Sequence, residues 1–328
     1  MKILFFTDTH IRGTSPQNRL DDFTLTLEKK LIEIGEIVKK NDVDYVIHGG
    51  DIFDRPDISP SVVKKYIPIF LGFGKPIYFI AGNHDVYGYN LNTLNRTLLG
   101  LLTEFGLFKE LNNKPIIWEK NGKKVQITGE SYNYLIDKEK NREAYILRNR
   151  LEEADFAIHV AHGFLTDLKL SPLIPHTPID EVLETKADLT LSGHYHTGYG
   201  LIEKNGKLFL NPGGVVRISN HQSEVDRLPR VAIITIKESI YIDFIYLKSA
   251  KPGTEVLSKS DLDHKSIRAG YYGEFQASLD RAIDFKQLNI FAIIDDLVKA
   301  DNIDETIKEE AIKRIVRAEM EMKRDDLD

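Results

Sequence analysis

Five short clusters hold most of the side chains in this sequence that can do chemistry. They are Asp8-Thr9-His10, Gly49-Gly50-Asp51, Gly82-Asn83-His84-Asp85, His162-Gly163 and Gly193-His194-Tyr195-His196. Their oxygen and nitrogen donors suit Mn²⁺, Fe²⁺ or Zn²⁺ better than Ca²⁺. Two such ions side by side can clamp the attacking and departing oxygens of a phosphoryl centre. One carboxylate must then bridge the ions, and a hydroxide acidified by both is the nucleophile. Such chemistry needs no nucleophilic side chain. Cysteine is absent and no GxSxG sequence occurs.

Each cluster follows a run that reads as a strand: KILFFT (2–7), VDYVIH (43–48), PIYFIA (76–81), DFAIHVA (155–161) and ADLTLS (187–192). Ligands in open α/β sheets bind at the carboxyl ends of strands. Residues i and i+2 of an extended segment point the same way, so Asp8 with His10, and His194 with His196, can each project into one pocket. Taken singly, a DxH, a GNHD turn or an HxH is ordinary. All five at successive strand ends argue for one site. His48 and His159 lie within strand runs and read as structural, and His176 reads as a loop residue.

The elements between the clusters set the class. Apolar positions Leu27, Leu31, Ile34, Ile37 and Val38 have helical spacing, and further helices are expected over 60–74, 91–104 and 139–152. This alternation predicts βαβ units and a largely parallel central sheet. Asn121-Gly122 and Asn205-Gly206 predict two hairpins, and a third is expected through Glu238-Ser239. The middle and end of the core are therefore expected to be antiparallel, in two sheets packed face to face with helices outside. Residues 273–325 read as charged helices.

The chain has 328 residues, 42% hydrophobic and 29% charged, enough for a sizeable core. Asp8 falls too early for a signal-peptide apolar region, and no run approaches the roughly 18 apolar residues of a membrane span. These features predict a cytoplasmic location and no membrane partner. The net charge of −6 disfavours a general nucleic-acid surface, although bound cations and local basic patches can reverse the sign where it matters.

DTH, GGDIFD, GNHD, HG and GHYH, in this order and spacing, resemble the signature of the calcineurin-like metallophosphoesterases over about residues 1–247. The resemblance implies a four-layer α/β/β/α sandwich of two mixed sheets, with a small C-terminal helical or cap appendage. It implies one divalent ion held by Asp8, His10, Asp51 and His196, and a second by Asp51, Asn83, His162 and His194, with Asp51 bridging. His84 would then be catalytic, protonating the leaving oxygen or stabilising the transition state, as a group with an unperturbed pKa near 6.5 can. Asp54 matches the acidic residue that orients it, with Asp85 as the alternative.

RLDDF (19–23) and GGDIFDRPDISPS further resemble segments of the SbcD-type DNA repair nucleases. That likeness implies a DNA exonuclease and single-strand endonuclease of repair or recombination. Its two ions are expected to be Mn²⁺, with Fe²⁺, Zn²⁺ or Mg²⁺ as alternatives. It also implies a homodimer formed through 60–73 and 91–104, and an SbcC-type coiled-coil ATPase as a further partner. Residues 1–250 would be the nuclease domain and 251–328 a cap or helical region for DNA or partner binding. Arg12, Arg55 and Arg217 are the candidates for substrate phosphate contact. The sequence departs from the family at NPGGVVR (211–217), where Q/Y-P-G-S is usual. Two other readings stay open. One is a non-nuclease phosphoesterase, such as a cyclic-nucleotide phosphodiesterase or a phosphoprotein phosphatase, whose G-D-x-x-D-R run GDIFDR also matches. The other is a non-catalytic scaffold.

Overall fold

The computed structural model describes residues 1–138, 141–168, 170 and 174–258. In chain order, β1 (Lys2–Phe6), α1 (Phe23–Lys40), β2 (Tyr45–His48), α2 (Pro60–Leu71), β3 (Ile77–Phe79), α3 (Leu98–Glu104) and β4 (Phe108–Glu110) build the parallel part of the first sheet and its helices. Then come β5 (Ile116–Lys120), β6 (Lys123–Glu130), β7 (Phe156–Gly163), the short pair β8 (Leu165–Thr166) and β9 (Thr177–Pro178), β10 (Leu189–His194), β11 (Gly200–Lys204) and β12 (Lys207–Asn211). The described chain ends with α4 (Gln222–Asp226), β13 (Arg230–Ile236), β14 (Ile240–Tyr246) and α5 (Gly253–Val256).

Two six-stranded sheets result, ordered β14-β13-β1-β2-β3-β4 and β11-β12-β10-β7-β6-β5. The pleat divides their side chains between layers. In β1, Leu4 and Phe6 face a core shared with Leu27, Leu31 and Ile34 of α1 and with Tyr66 and Phe70 of α2. Ile3 and Phe5 face the other way, onto Val125, Ile127, Ile158, Val160 and Leu191 of the second sheet. The sandwich is thus mixed α/β with helices outside the first sheet. The outer face of the second sheet is covered by a smaller cluster around Tyr145, Ile136, Leu165 and Ile179.

Three expectations need correction. The second sheet is antiparallel only at its rims. β6, β7, β10 and β12 are mutually parallel, because the two Asn-Gly hairpins add only the edge strands β5 and β11. The helix expected over 139–152 is, among the described residues, a single 3₁₀ turn, Arg142–Tyr145. Tertiary bonds override its local periodicity: Leu147 N donates to Thr185 Oγ1 and Leu151 N to Gln126 Oε1, both without helical partners. The helix expected over 91–104 is interrupted by Thr97, whose hydroxyl accepts from Gly100 N and caps α3. The helices expected over 273–325 lie outside the described residues. Among the described residues, no helix is long and apolar enough to cross a membrane.

Candidate metal centre

The loops leaving β1 and β2 are laced together before any side chain is considered. Asp8 N donates to Gly50 O, and Thr9 N and His10 N both donate to Asp51 O, at 3.0–3.1 Å. Asp8, His10, Asp51 and His194 all take positive φ, between 40° and 70°. That backbone region disfavours side chains other than those of Asn, Asp and His, and such strain gathers at functional sites. The turns bring together donors that are far apart in sequence.

The first group comprises Asp8, His10, Asp51 and His196. His10 Nε2 lies 3.0 Å from His196 Nε2, 3.6 Å from Asp51 Oδ2 and 3.9 Å from Asp8 Oδ1, and His196 Nε2 lies 3.5 Å from Asp8 Oδ1. The second group contains Asp51, His162 and His194, and Asn83 joins it, with Oδ1 2.9 Å from His194 Nδ1. His162 Nε2 lies 3.3 Å from the same Asp51 Oδ2. One carboxylate oxygen therefore borders both groups.

Donor atoms about 2.1 Å from a common ion lie roughly 3 Å or slightly more from one another, so both groups have the spacing of ligand shells. Hydrogen bonding agrees. His162 Nδ1 donates to Gly49 O at 2.7 Å, which turns Nε2 inward, where it is buried without a hydrogen-bond partner. Metal-binding histidines are commonly fixed by such a backbone bond. Close packing at glycine also maintains the site. A Cβ on Gly82 would lie 2.0 Å from Asp51 Oδ1.

The charges are tightly coupled. Burial favours a neutral Asp51, but the charges of His162 and His84 hold its carboxyl well below the usual range. Burial also opposes ionisation of Asp8, but the His196 hydrogen bond and the charges of His196 and His162 together lower the carboxyl. Burial pushes His10 well below its ordinary value. His162 rises to about 9 against burial because Asp51 faces it. Its proton is one that a bound cation would replace.

His84 stands beside the first group, its ring centroid 4.8 Å from that of His10. Its backbone N donates to Asp51 Oδ1 at 2.9 Å, and its Nδ1 bonds Asp54 O at 2.8 Å. The orienting contact expected from the Asp54 carboxylate is thus made by the Asp54 carbonyl oxygen. The carboxylate itself meets Arg12 Nη1 at 3.3 Å. Asp85 plays a different part from the alternative considered for it. It is fully buried and accepts from Ile52 N, Phe53 N and Gly82 N, tying the second and third loops together.

Of the three candidate phosphate-binding arginines, Arg12 lies at the rim of the site and Arg55 is exposed, with Nε 3.4 Å from Asp57. Arg217 is a correction. Its side chain is 1% exposed and donates to Lys251 O, which seals it from any substrate. His48 and His159 are buried and bonded within the core, to Thr9 Oγ1 and Gly50 N, and to Thr128 Oγ1 and Ala144 O. His176 ties its own loop through Ile174 O and Leu170 N. The sequence reading missed Tyr132, whose ring centroid lies 5.6 Å from that of His194 and 6.2 Å from that of His162. It too follows a strand, β6, whose end carries Gly129 and Glu130, a signal like those of the other strand ends that the sequence reading passed over.

A two-sheet α/β sandwich that gathers Asp, Asn and His donors at its strand ends defines a metallophosphoesterase-type protein. Residues 1–198 match the calcineurin-like phosphoesterase family model, and the chain belongs to that family. The family uses divalent metals, and the clustered donors can hold them. Among curated proteins the chain is 24% identical, over 99% of its length and 74% of the relative's, to the DNA double-strand break repair protein Mre11 of Archaeoglobus fulgidus. It is 27% identical, over 77% of its length, to the double-strand break repair protein MRE11 of Encephalitozoon cuniculi, of which it spans about half (48%). A solved calcineurin-like phosphoesterase, YfkN of Bacillus subtilis, matches 84% of this chain and 98% of its own with a TM-score of 0.44 and 17% identity.

Proposed function

We propose that this chain is a two-metal phosphodiesterase that cuts DNA in repair or recombination. The observation that carries the hydrolytic reading is the shared Asp51 Oδ2, 3.6 Å from His10 Nε2 on one side and 3.3 Å from His162 Nε2 on the other. In this reading Asp8, His10, Asp51 and His196 hold one ion, and Asp51, Asn83, His162 and His194 the other. Bound divalent ions, Mn²⁺ first among them, supply an acidified water and neutralise charge on the phosphoryl group. The remaining tasks fall to the protein. Asp54 O fixes the His84 ring through Nδ1, and Nε2 is the atom assigned to the leaving oxygen. A proton passed from Nε2 there contributes roughly 10²–10⁴-fold. Arg12, held by Asp54, adds positive charge at the rim for a substrate phosphate, and exposed Arg55, which faces Asp57, is the second candidate.

The choice of DNA rests on the two relatives named as double-strand break repair proteins and on the RLDDF and GDIFD segments. In the same reading the chain is a homodimer. Exposed Leu71, Leu101 and Phe105, at α2 and α3, supply apolar surface for it. In this reading residues 1–250 serve as the nuclease domain, and 251–328, most of which lie outside the described residues, are assigned to binding DNA or an SbcC-type ATPase.

Two observations favour a second reading. The net charge of −6 and the exposed arginine of GDIFDR also suit a small phosphodiester or phosphoprotein substrate. End-labelled duplex and hairpin DNA, incubated with Mn²⁺ and wild type or His84→Ala, decides between them. Cleavage by wild type, lost in the variant with its Mn²⁺ retained and weakened steeply by salt, is the expected result. Turnover of bis-p-nitrophenyl phosphate without DNA cleavage would instead establish the second reading.

A further inference from the structure

Behind the first donor group lies a buried lysine that the proposed chemistry does not use. Lys30, on α1, is 2% exposed, and its Nζ donates to Val215 O at 2.8 Å. Val215 N donates to Thr7 O at 3.0 Å, and Thr7 Oγ1 donates to Asp8 Oδ2 at 2.8 Å. Three links thus run from a helix on the far side of the core to a carboxylate of the site. The neighbouring Gly214 N donates to His196 O at 2.9 Å. A Cβ on Gly214 would stand 3.2 Å from Asp8 Cβ, so this strand of chain lies directly against the first group.

Residues 212–217 therefore form a strap. Its N–H groups hold the loops of Asp8 and His196, and its carbonyls point to cations. Gly214 O and Val216 O accept from Arg227 at 2.6 and 2.5 Å, Val215 O from Lys30, and Arg217 O from Arg19 at 3.0 Å. Arg227 and Arg19 are also paired with Glu224 and Asp21. Among the described residues, Lys30 has no carboxylate at ion-pair distance. Burial, together with Arg19, Arg217 and Arg227, depresses its pKa strongly. An apolar side chain would fill the slot at lower cost but would leave the Val215 carbonyl buried and unpaired.

We infer that Lys30 is a positioning residue, which holds Asp8 in its place within the first donor group by way of the Val215 and Thr7 relay. The inference rests on the two-ion reading of the site. It assigns a purpose to the NPGGVVR segment, where this chain departs from its family's usual pattern. The relay ends on Asp8, a member of the first group alone that touches the second only by accepting from His194 N at 3.2 Å, so its loss weakens the first ion far more than the second.

Titration calorimetry of the full chain with Mn²⁺ tests this without reference to activity. Wild type is expected to bind two ions. Lys30→Met should weaken one of them roughly 10–100-fold, the range for partners that orient ligands, and leave the other within about twofold. Thr7→Val, which cuts the last link without altering charge, should reproduce that pattern. Thr7→Ser, which keeps the hydroxyl, should bind as wild type does. If Lys30→Met fails to fold, the Thr7 pair decides. Two tight sites in Lys30→Met and Thr7→Val would overturn the inference, as would equal weakening of both sites. Fewer than two ions in wild type would remove the two-ion reading, and this inference with it.

Discussion

His10 Nε2 and His196 Nε2 face each other at 3.0 Å, although 186 residues separate them in sequence. Two imidazole nitrogens can approach so closely only if one carries a proton or both point lone pairs at a cation. The Asp8 hydrogen bond raises the His196 pKa against the effect of burial, and His162, raised to about 9 by Asp51, carries a proton at neutral pH until metal displaces it. Mn²⁺ binding is therefore expected to release protons, and its apparent affinity to rise with pH through the imidazole range. Calorimetry in two buffers of different ionisation heat reads this directly. Identical heats in both would refute it.

Gly82→Ala is expected to abolish binding of both ions. Its Cβ would lie 2.0 Å from Asp51 Oδ1, a buried oxygen held by His84 N, and 2.4 Å from Asp51 N, which is backbone. Asp51 borders both groups, so its displacement spoils both. Overpacking of this kind costs about 1–3 kcal/mol of stability, which leaves a folded protein for assay. Mn²⁺ content after dialysis, with thermal unfolding as the control for folding, checks the outcome.

Asp54→Asn is expected to reduce turnover far less than His84→Ala. The bond that orients His84 runs to the Asp54 carbonyl, which the substitution keeps. Removing the imidazole should cost roughly 10²–10⁴-fold in kcat, and removing the Asp54 charge less than about tenfold by that same scale. The Asn variant should also show a higher KM, because Arg12 loses its ionic partner. Equal losses of kcat would mean that the carboxylate acts on the imidazole after all.

His48 predicts an acid weakness distinct from the metal ligands. Burial depresses its pKa to about 3, its Nδ1 accepts from Gly50 N, and its Nε2 faces Thr9 Oγ1. The unfolded chain takes up this proton below about 6.5, whereas the folded chain refuses it until about pH 3. The stability associated with neutral His48 is thus present above pH 6.5 and lost as pH falls toward 3, by up to about 1.4 kcal/mol per pH unit. Denaturant unfolding with EDTA present, between pH 7 and 4.5, should show a shallower pH slope for His48→Gln than for wild type. Parallel slopes would count against it.

The gathering of these donors was legible in sequence because each sits at or shortly beyond the carboxyl end of a strand, where α/β sheets bring their loops together. The hairpins at Asn121-Gly122 and Asn205-Gly206 were readable for a similarly local reason, since the turn dipeptide dictates its own geometry. Relations set at long range were not. That β6, β7, β10 and β12 run parallel depends on crossovers that no local pattern records. The burial of Arg217 and the bond of Asp54 O to His84 likewise depend on packing between segments. Tyr132 stayed hidden because an aromatic at a strand end looks like core.

The strand β1, which leads into Asp8 and His10, is flanked on one side by β2 and on the other by β13, whose residues Ala232–Thr235 pair with Lys2–Phe5. During synthesis the last donor, His196, therefore emerges well before the partner that completes the seat of the first two. A chain halted on the ribosome short of β13 possesses every ligand yet lacks the frame that aims them. Assembly of the donor cluster is thereby tied to completion of the sheet.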